Sequence, residues 1–179
     1  MKRIFLFIII VIMAFISIFT SCKKENTNKQ RILEQIGQEL YFTDYRLDIT
    51  KKNNMEETYK IVLYVDSFEC SSCNINLFIW KDFIEEVKNE FGEKVIFLFY
   101  FQPQKNNTEI EYLINRDRFN HEVNLDEENK FGKENKLYPT INSECFLLNK
   151  KNRILLIGNP SKNLILWDLY KKTIRENKY

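Results

Sequence analysis

One histidine, four glycines and three prolines are spread over 179 residues. The lone imidazole, His121, lends no support to a Ser-His-Asp hydrolase. The glycines form no phosphate-cradling loop, which removes the common nucleotide-binding signatures. Neither sign of charge is in excess: 27 basic against 25 acidic residues leave a formal +2. Lys2 and Arg3 sit in the N-terminal leader, so without residues 1–21 the chain is close to neutral. A neutral, mixed-charge chain has no electrostatic footprint for nucleic acid. The Lys-Lys pairs at 23–24, 51–52 and 171–172 read as solvated faces. There is no internal repeat, and the aromatic residues fall at core spacing rather than beside a basic patch.

What is present begins with MKRIFLFIIIVIMAFISIFTSC. A basic start and an apolar run from Ile4 to Phe19 have the pattern of a secretory signal. The run is somewhat short for a membrane span of about 20 residues. Its ending, FTSC, resembles the bacterial lipobox, in which small residues precede a lipidated cysteine. That resemblance implies cleavage after residue 21, a lipid on Cys22 and a membrane-anchored lipoprotein in the cell envelope, facing the periplasm or the exterior. Multiple acyl chains would make such anchoring stable. The polar stretch KKENTNK completes a tether over residues 22–30. Residues 31–179 are then one domain of ordinary size.

Within that domain the hydrophobic period alternates between strand and helix. QRILEQIGQELY places Ile32, Leu33, Ile36 and Leu40 on one helical face. RLDIT, 46–50, could be a short strand. YKIVLYV, 59–65, reads as a buried strand. From Ile75 the spacing of Leu77, Trp80, Phe83, Ile84, Val87 and Phe91 predicts a helix of nearly five turns, ended by Gly92. KVIFLFYF, 94–101, is a second buried strand. A further helix follows with Thr108 as N-cap and Glu111 three residues on. EVNLD, 122–126, suggests a short strand, and ENKFGKENK a short helix or turn. CFLLN and RILLIG flank a polar turn and predict a hairpin. Ser161 is the expected cap of a closing helix that buries Leu164, Trp167, Leu169 or Tyr170, and Ile174. The order β-α-β-α-…-β-β-α implies an α/β fold with a central mixed sheet: parallel in its alternating part, antiparallel at the hairpin.

The chemistry lies in SFECSSCNINLFIW, residues 67–80. Cys70 and Cys73 form a CxxC where the first buried strand feeds the long helix, the layout of a thioredoxin-like redox motif. At a helix N-terminus the free amides and the dipole favour a thiolate. Cys70 is the expected nucleophile. Cys73, one turn in, would resolve the mixed disulfide.

From about Tyr59 to Tyr170 the chain resembles the thioredoxin superfamily, through YKIVLYVDSFECSSC, the helix after it, NLDEENKFGKEN and CFLLNKKNRILLIGNP. It is most similar to the TlpA-like, membrane-tethered branch and to small thioredoxin-like lipoproteins of Bacteroidetes-type bacteria. The resemblance implies a thiol-disulfide oxidoreductase with no cofactor. Its partners would be exported proteins with cysteines or disulfides, and a membrane thiol reductant. Members carry an acidic residue six before the first cysteine, where this chain has Tyr64. Asp66 and Glu69 are nearer, more exposed candidates for proton transfer. Members also carry a cis-proline before the hairpin. Pro139 in LYPT is the candidate, while spacing back from the turn puts Ser143 in that place.

Cys145 begins a strand beside the CxxC. It is either a buried small residue, since free cysteine packs as a hydrophobe, or an accessory redox thiol. With Cys70, Cys73 and His121 it could complete a soft-metal site. A non-catalytic scaffold whose CxxC is a structural disulfide is the other alternative.

Overall fold

The computed structural model describes residues 30, 32–42, 58–66, 75–103, 108–137 and 144–176. Its contacts divide the chain into two units, Met1–Ile36 and Gly37–Tyr179. Among the described residues of the first, helix covers 30 and 32–35. The single helical face predicted through Leu40 is therefore not formed. Gly37, at φ +83°, leaves helical geometry, and Leu40 is a buried, non-helical residue whose N–H donates to the Asn152 carbonyl at 2.9 Å. The leader, Cys22 and the suggested 46–50 strand lie outside the described residues. Among the described residues, no helix is long and apolar enough to cross a membrane.

The second unit is built on a five-stranded sheet. In chain order its strands are β1 (Tyr59–Val65), β2 (Val95–Phe101), β3 (Asn124–Leu125), β4 (Glu144–Leu148) and β5 (Ile154–Ile157). The spatial order is β3-β2-β1-β4-β5. β1 pairs parallel with β2 from Tyr59↔Val95 to Val65↔Phe101, and antiparallel with β4, where Leu63 faces Cys145. The helices are α1 (Leu77–Phe91), α2 (Thr108–Arg116), α3 (Lys130–Glu134) and α4 (Leu164–Glu176).

β1 is buried along its whole length, because both faces of the sheet are covered. On one face Ile61, Leu63, Val65 and Phe99 pack with Leu77, Trp80 and Phe83 of α1, Ile110 and Leu113 of α2, and Trp167 and Tyr170 of α4. On the other, Val62, Tyr64, Tyr100 and Phe146 pack with Phe131 of α3 and Leu137. A continuous apolar strand is what two covered faces require. α1 and α4 lie side by side. Phe83 stacks on Trp167 with centroids 4.0 Å apart, and the Trp167 indole donates to Glu86 at 2.7 Å. Lys171 reaches the same carboxylate, and Arg175 reaches Glu90. The Lys171 side chain is consequently 12% exposed, not the solvated charge its Lys-Lys context suggested, whereas Lys172 is 63% exposed.

The turn into α4 also departs from expectation. Ser161 sits in a 3-10 turn, Pro160–Lys162, where its N–H and hydroxyl both donate to Asn159. Asn163 caps α4 instead: its Oδ1 accepts from the N–H groups of Ile165 and Leu166 at 3.0 and 3.4 Å. Proline at the first position of that turn starts a separate helical segment, which pushes the α4 cap two residues on. Tyr170, not Leu169, then faces the core, and Leu164 is 68% exposed. Thr108 is the first helical residue of α2 rather than its cap.

Candidate active site

β1 and β2 deliver their C-terminal ends to the same edge of the sheet. There the Gln102 N–H donates to the Val65 carbonyl at 2.8 Å. Asp66 follows Val65 directly. It is 7% exposed, which corrects the expectation of a more exposed loop charge: leaving a central strand covered on both faces, it has not yet reached the surface. Cys70, Cys73 and Glu69 come next in the chain and lie outside the described residues, as do Pro139 and Ser143.

The chain is described again from Ile75. Ile75 and Asn76 are not helical, and α1 starts at Leu77. The helix expected from Ile75 thus begins two residues later, four residues after Cys73. Asn76 makes no side-chain cap. The Leu77 N–H instead donates to Asp117 Oδ2 at 2.8 Å, and Arg116 Nη2 donates to the Ile75 carbonyl at 2.8 Å. Arg116 grips Asp117 through Nε–Oδ1 and Nη2–Oδ2 bonds of 2.7 and 2.8 Å. That guanidinium, with the backbone amides of Leu77 and Phe78 assisting, holds the Asp117 carboxyl below its usual range against the opposing effect of burial. Dipole stabilisation is confined to the first turn of a helix. Here the first amide of that turn already faces a carboxylate.

Cys145 is 0% exposed. Its side chain belongs to the cluster formed with α1 and α4. Burial pushes its thiol up to about 12, with a lesser opposing effect from the Tyr170 hydroxyl. That hydroxyl donates to the carbonyls of Cys145 and Gly158 at 3.0 and 2.9 Å, locking α4 onto the hairpin. Cys145 is therefore a protonated thiol in an apolar setting.

His121 lies elsewhere. It is exposed, its ring is 5.2 Å from that of Phe119, and it lines a cavity of about 370 Å³ with Ile84, Val87 and Phe97. Desolvation first, then the charge of Lys81, lowers its pKa. This cavity borders β2, whereas Cys145 is on β4, with β1 between them. Among the described residues no three acidic, histidine or cysteine side chains converge as metal ligands.

No protein-family model matches this chain. No curated protein matches it either. Solved structures do. One, from Bacteroides thetaiotaomicron and described as a candidate protein disulfide isomerase, has a TM-score of 0.55 at 10% identity, covering 80% of this chain and 91% of its own. A thiol:disulfide interchange protein from Bacteroides sp. has a TM-score of 0.51 at 12% identity, covering 79% and 88%. A thioredoxin-like protein solved in the oxidised form reaches 0.53 at 10% identity, covering 81% and 95%. At these identities the likeness is one of architecture.

The chain has the thioredoxin fold.

Within this thioredoxin fold, Tyr64 points to the face away from α1. Its hydroxyl donates to Asn129 Oδ1 at 2.8 Å and its ring centroid is 5.7 Å from that of Phe131. Sequence reasoning missed the Arg116–Asp117 pair. Both read as ordinary charges at the end of an amphipathic helix, and their partners at 75–77 are about 40 positions away. The one available signal was negative: Asn76 is followed by no acidic residue in the first turn of α1, so that helix lacked a local complement to its dipole.

Proposed function

We propose that the protein is an extracytoplasmic thiol-disulfide oxidoreductase acting on exported proteins through Cys70 and Cys73. The observation that carries this reading is the position of the CxxC in the chain: directly after the central strand β1 and before α1 on a thioredoxin fold. The Cys70 thiolate attacks a substrate disulfide, the substrate S–S bond breaks, and a mixed disulfide forms. The Cys73 thiolate then attacks the Cys70 sulfur and releases the second substrate thiol. Two electrons pass to the substrate, and the protein keeps a Cys70–Cys73 disulfide for a membrane thiol reductant to reopen. A lipid on Cys22 would hold the domain at the membrane of the bacterial envelope, where disulfides persist.

A second reading has its own support. α1 starts four residues after Cys73, and Asp117 occupies its first amide. A pair with little field to activate it suits a structural disulfide in a partner-binding scaffold.

The reduction potential of the couple distinguishes the two. The full chain with Cys22→Ser is equilibrated against glutathione and dithiothreitol buffers and read by mass after alkylation, with Cys145→Ser as control. A value between roughly −120 and −270 mV is that of exchange catalysts and supports catalysis. A value below about −300 mV is that of structural disulfides and favours the scaffold.

A further inference from the structure

β2 has one finished edge and one open edge. Toward β1 it is paired along its whole length, but toward β3 it is paired only at Tyr100 and Phe101. On the β3 side the Phe99 carbonyl accepts from Asn124 Nδ2 at 3.2 Å, and the Phe101 carbonyl accepts from the Asp126 N–H at 2.8 Å. Backbone groups alternate along a strand, so Val95 and Phe97 direct theirs to that side as well. Among the described residues no strand meets them there. Folds commonly guard an open edge with a charge or a proline; VIFLFYF, Val95–Phe101, has neither. The cavity of about 370 Å³ runs along this edge, walled by Ile84 and Val87 of α1 and by Phe97. An unpaired backbone row beside an apolar recess is the pattern that adds a strand: main-chain bonds supply affinity, and the recess takes side chains.

The exposed charges at its rim identify which strand. Lys88, whose carbonyl accepts the Gly92 N–H, lines the cavity at its Val95 end together with Glu93. His121 and Glu122 line it at the Phe99 end, just before Asn124. The charge of Lys81 reaches His121 there. Each end therefore carries a carboxylate and a basic group, and such a rim is complementary to a reversed copy of itself. A two-fold axis at Phe97 supplies that reversal. It lays β2 antiparallel to the β2 of a second copy, with Val95 opposite the partner's Phe99. It also sets Lys88 against the partner's Glu122, and Glu93 against the partner's His121. Glu122 has an interaction within its own chain as well; the lone pairs of a carboxylate leave room for a further cation. We propose that the protein forms a homodimer through the open edge Val95–Phe99, which joins the five-stranded sheets of two copies into one continuous sheet and repeats the Lys88–Glu122 pair on both sides of the axis.

The test follows the full chain with Cys22→Ser, in density-matched detergent with dithiothreitol, by sedimentation equilibrium from about 1 to 100 μM. We expect a dimer whose dissociation constant rises at least about tenfold for Lys88→Glu and for Glu122→Lys, because each change sets like charges together twice. The double variant Lys88→Glu with Glu122→Lys, in which the two charges have changed places, should return to within about threefold of the parent. A parent that stays monomeric overturns the proposal. A dimer that both single variants leave unchanged, the result given by association through the N-terminal leader, also overturns it, as does a double variant that is not restored. Should a single variant fail to fold, amide hydrogen exchange in the parent decides. The Phe97 N–H should gain protection on dimerisation, while the Ile96 and Leu98 amides, directed at β1, stay protected at every concentration. Equal exchange at Phe97 in monomer and dimer overturns the proposal.

Discussion

Alkylation of Cys145 in the native protein is expected to be slow, by an amount that follows from its surroundings. Its thiol is fully buried and shifted from an ordinary 9.0 to about 12. Three units leave about a thousandfold less thiolate at pH 8 than in an ordinary cysteine. A thiolate of higher pKa is a better nucleophile, and a Brønsted slope of about 0.4–0.5 returns about 15- to 30-fold. The net retardation from ionisation alone is about 30- to 60-fold, before the further requirement that the core must open to admit the reagent. Iodoacetamide labelling at pH 8, followed by mass spectrometry, reads the ratio of Cys145 to the same residue in urea-unfolded chain. The native rate should rise with pH well beyond pH 9, because the group is still protonated there. Native labelling within threefold of the unfolded rate would refute the reasoning: Cys145 would then be an accessible thiol, and the packing of β4 under α4 would be wrong.

Two stability predictions follow from packing elsewhere. An alanine Cβ at Gly132 would lie 2.1 Å from Asn129 Oδ1 and 2.4 Å from the Tyr64 hydroxyl; Gly132→Ala should cost about 1–3 kcal/mol through overpacking and the broken Tyr64–Asn129 bond, and an unchanged urea midpoint would show that α3 can move away without loss. Asn163→Ala removes the side-chain acceptor for two amides of α4; about 0.5–2 kcal/mol of thermal stability should go with it, while Ser161→Ala should cost less, the reverse of what the sequence pattern implies.

The strands and long helices could be read from the order of residues alone. YKIVLYV has no polar face to offer except Lys60, so only a central position with both sides covered can accommodate it, and β1 takes that position. The 3.6-residue spacing of Leu77, Trp80, Phe83 and Val87 likewise admits one buried stripe, and those four residues are the buried ones. Gly92 at φ +62° ends that helix as predicted. These features depend on local periodicity and backbone sterics, which are properties of neighbouring residues.

Tertiary structure decided where capping and charge went. Ser161 and Asn163 are both good N-cap residues, and the turn at Pro160 chose between them. Asp66 reads as a loop acid, yet the covered end of β1 buries it. Arg116 and Asp117 read as surface charges, until the fold brings the end of α2 against the start of α1. Hydrogen-bond partners and burial depend on what arrives from distant parts of the chain, and a sequence pattern records only the group that will need a partner. Residues 59–65 and 77–91 therefore announced their own structure, whereas the charge environment at the entry to α1 existed only once the chain had folded.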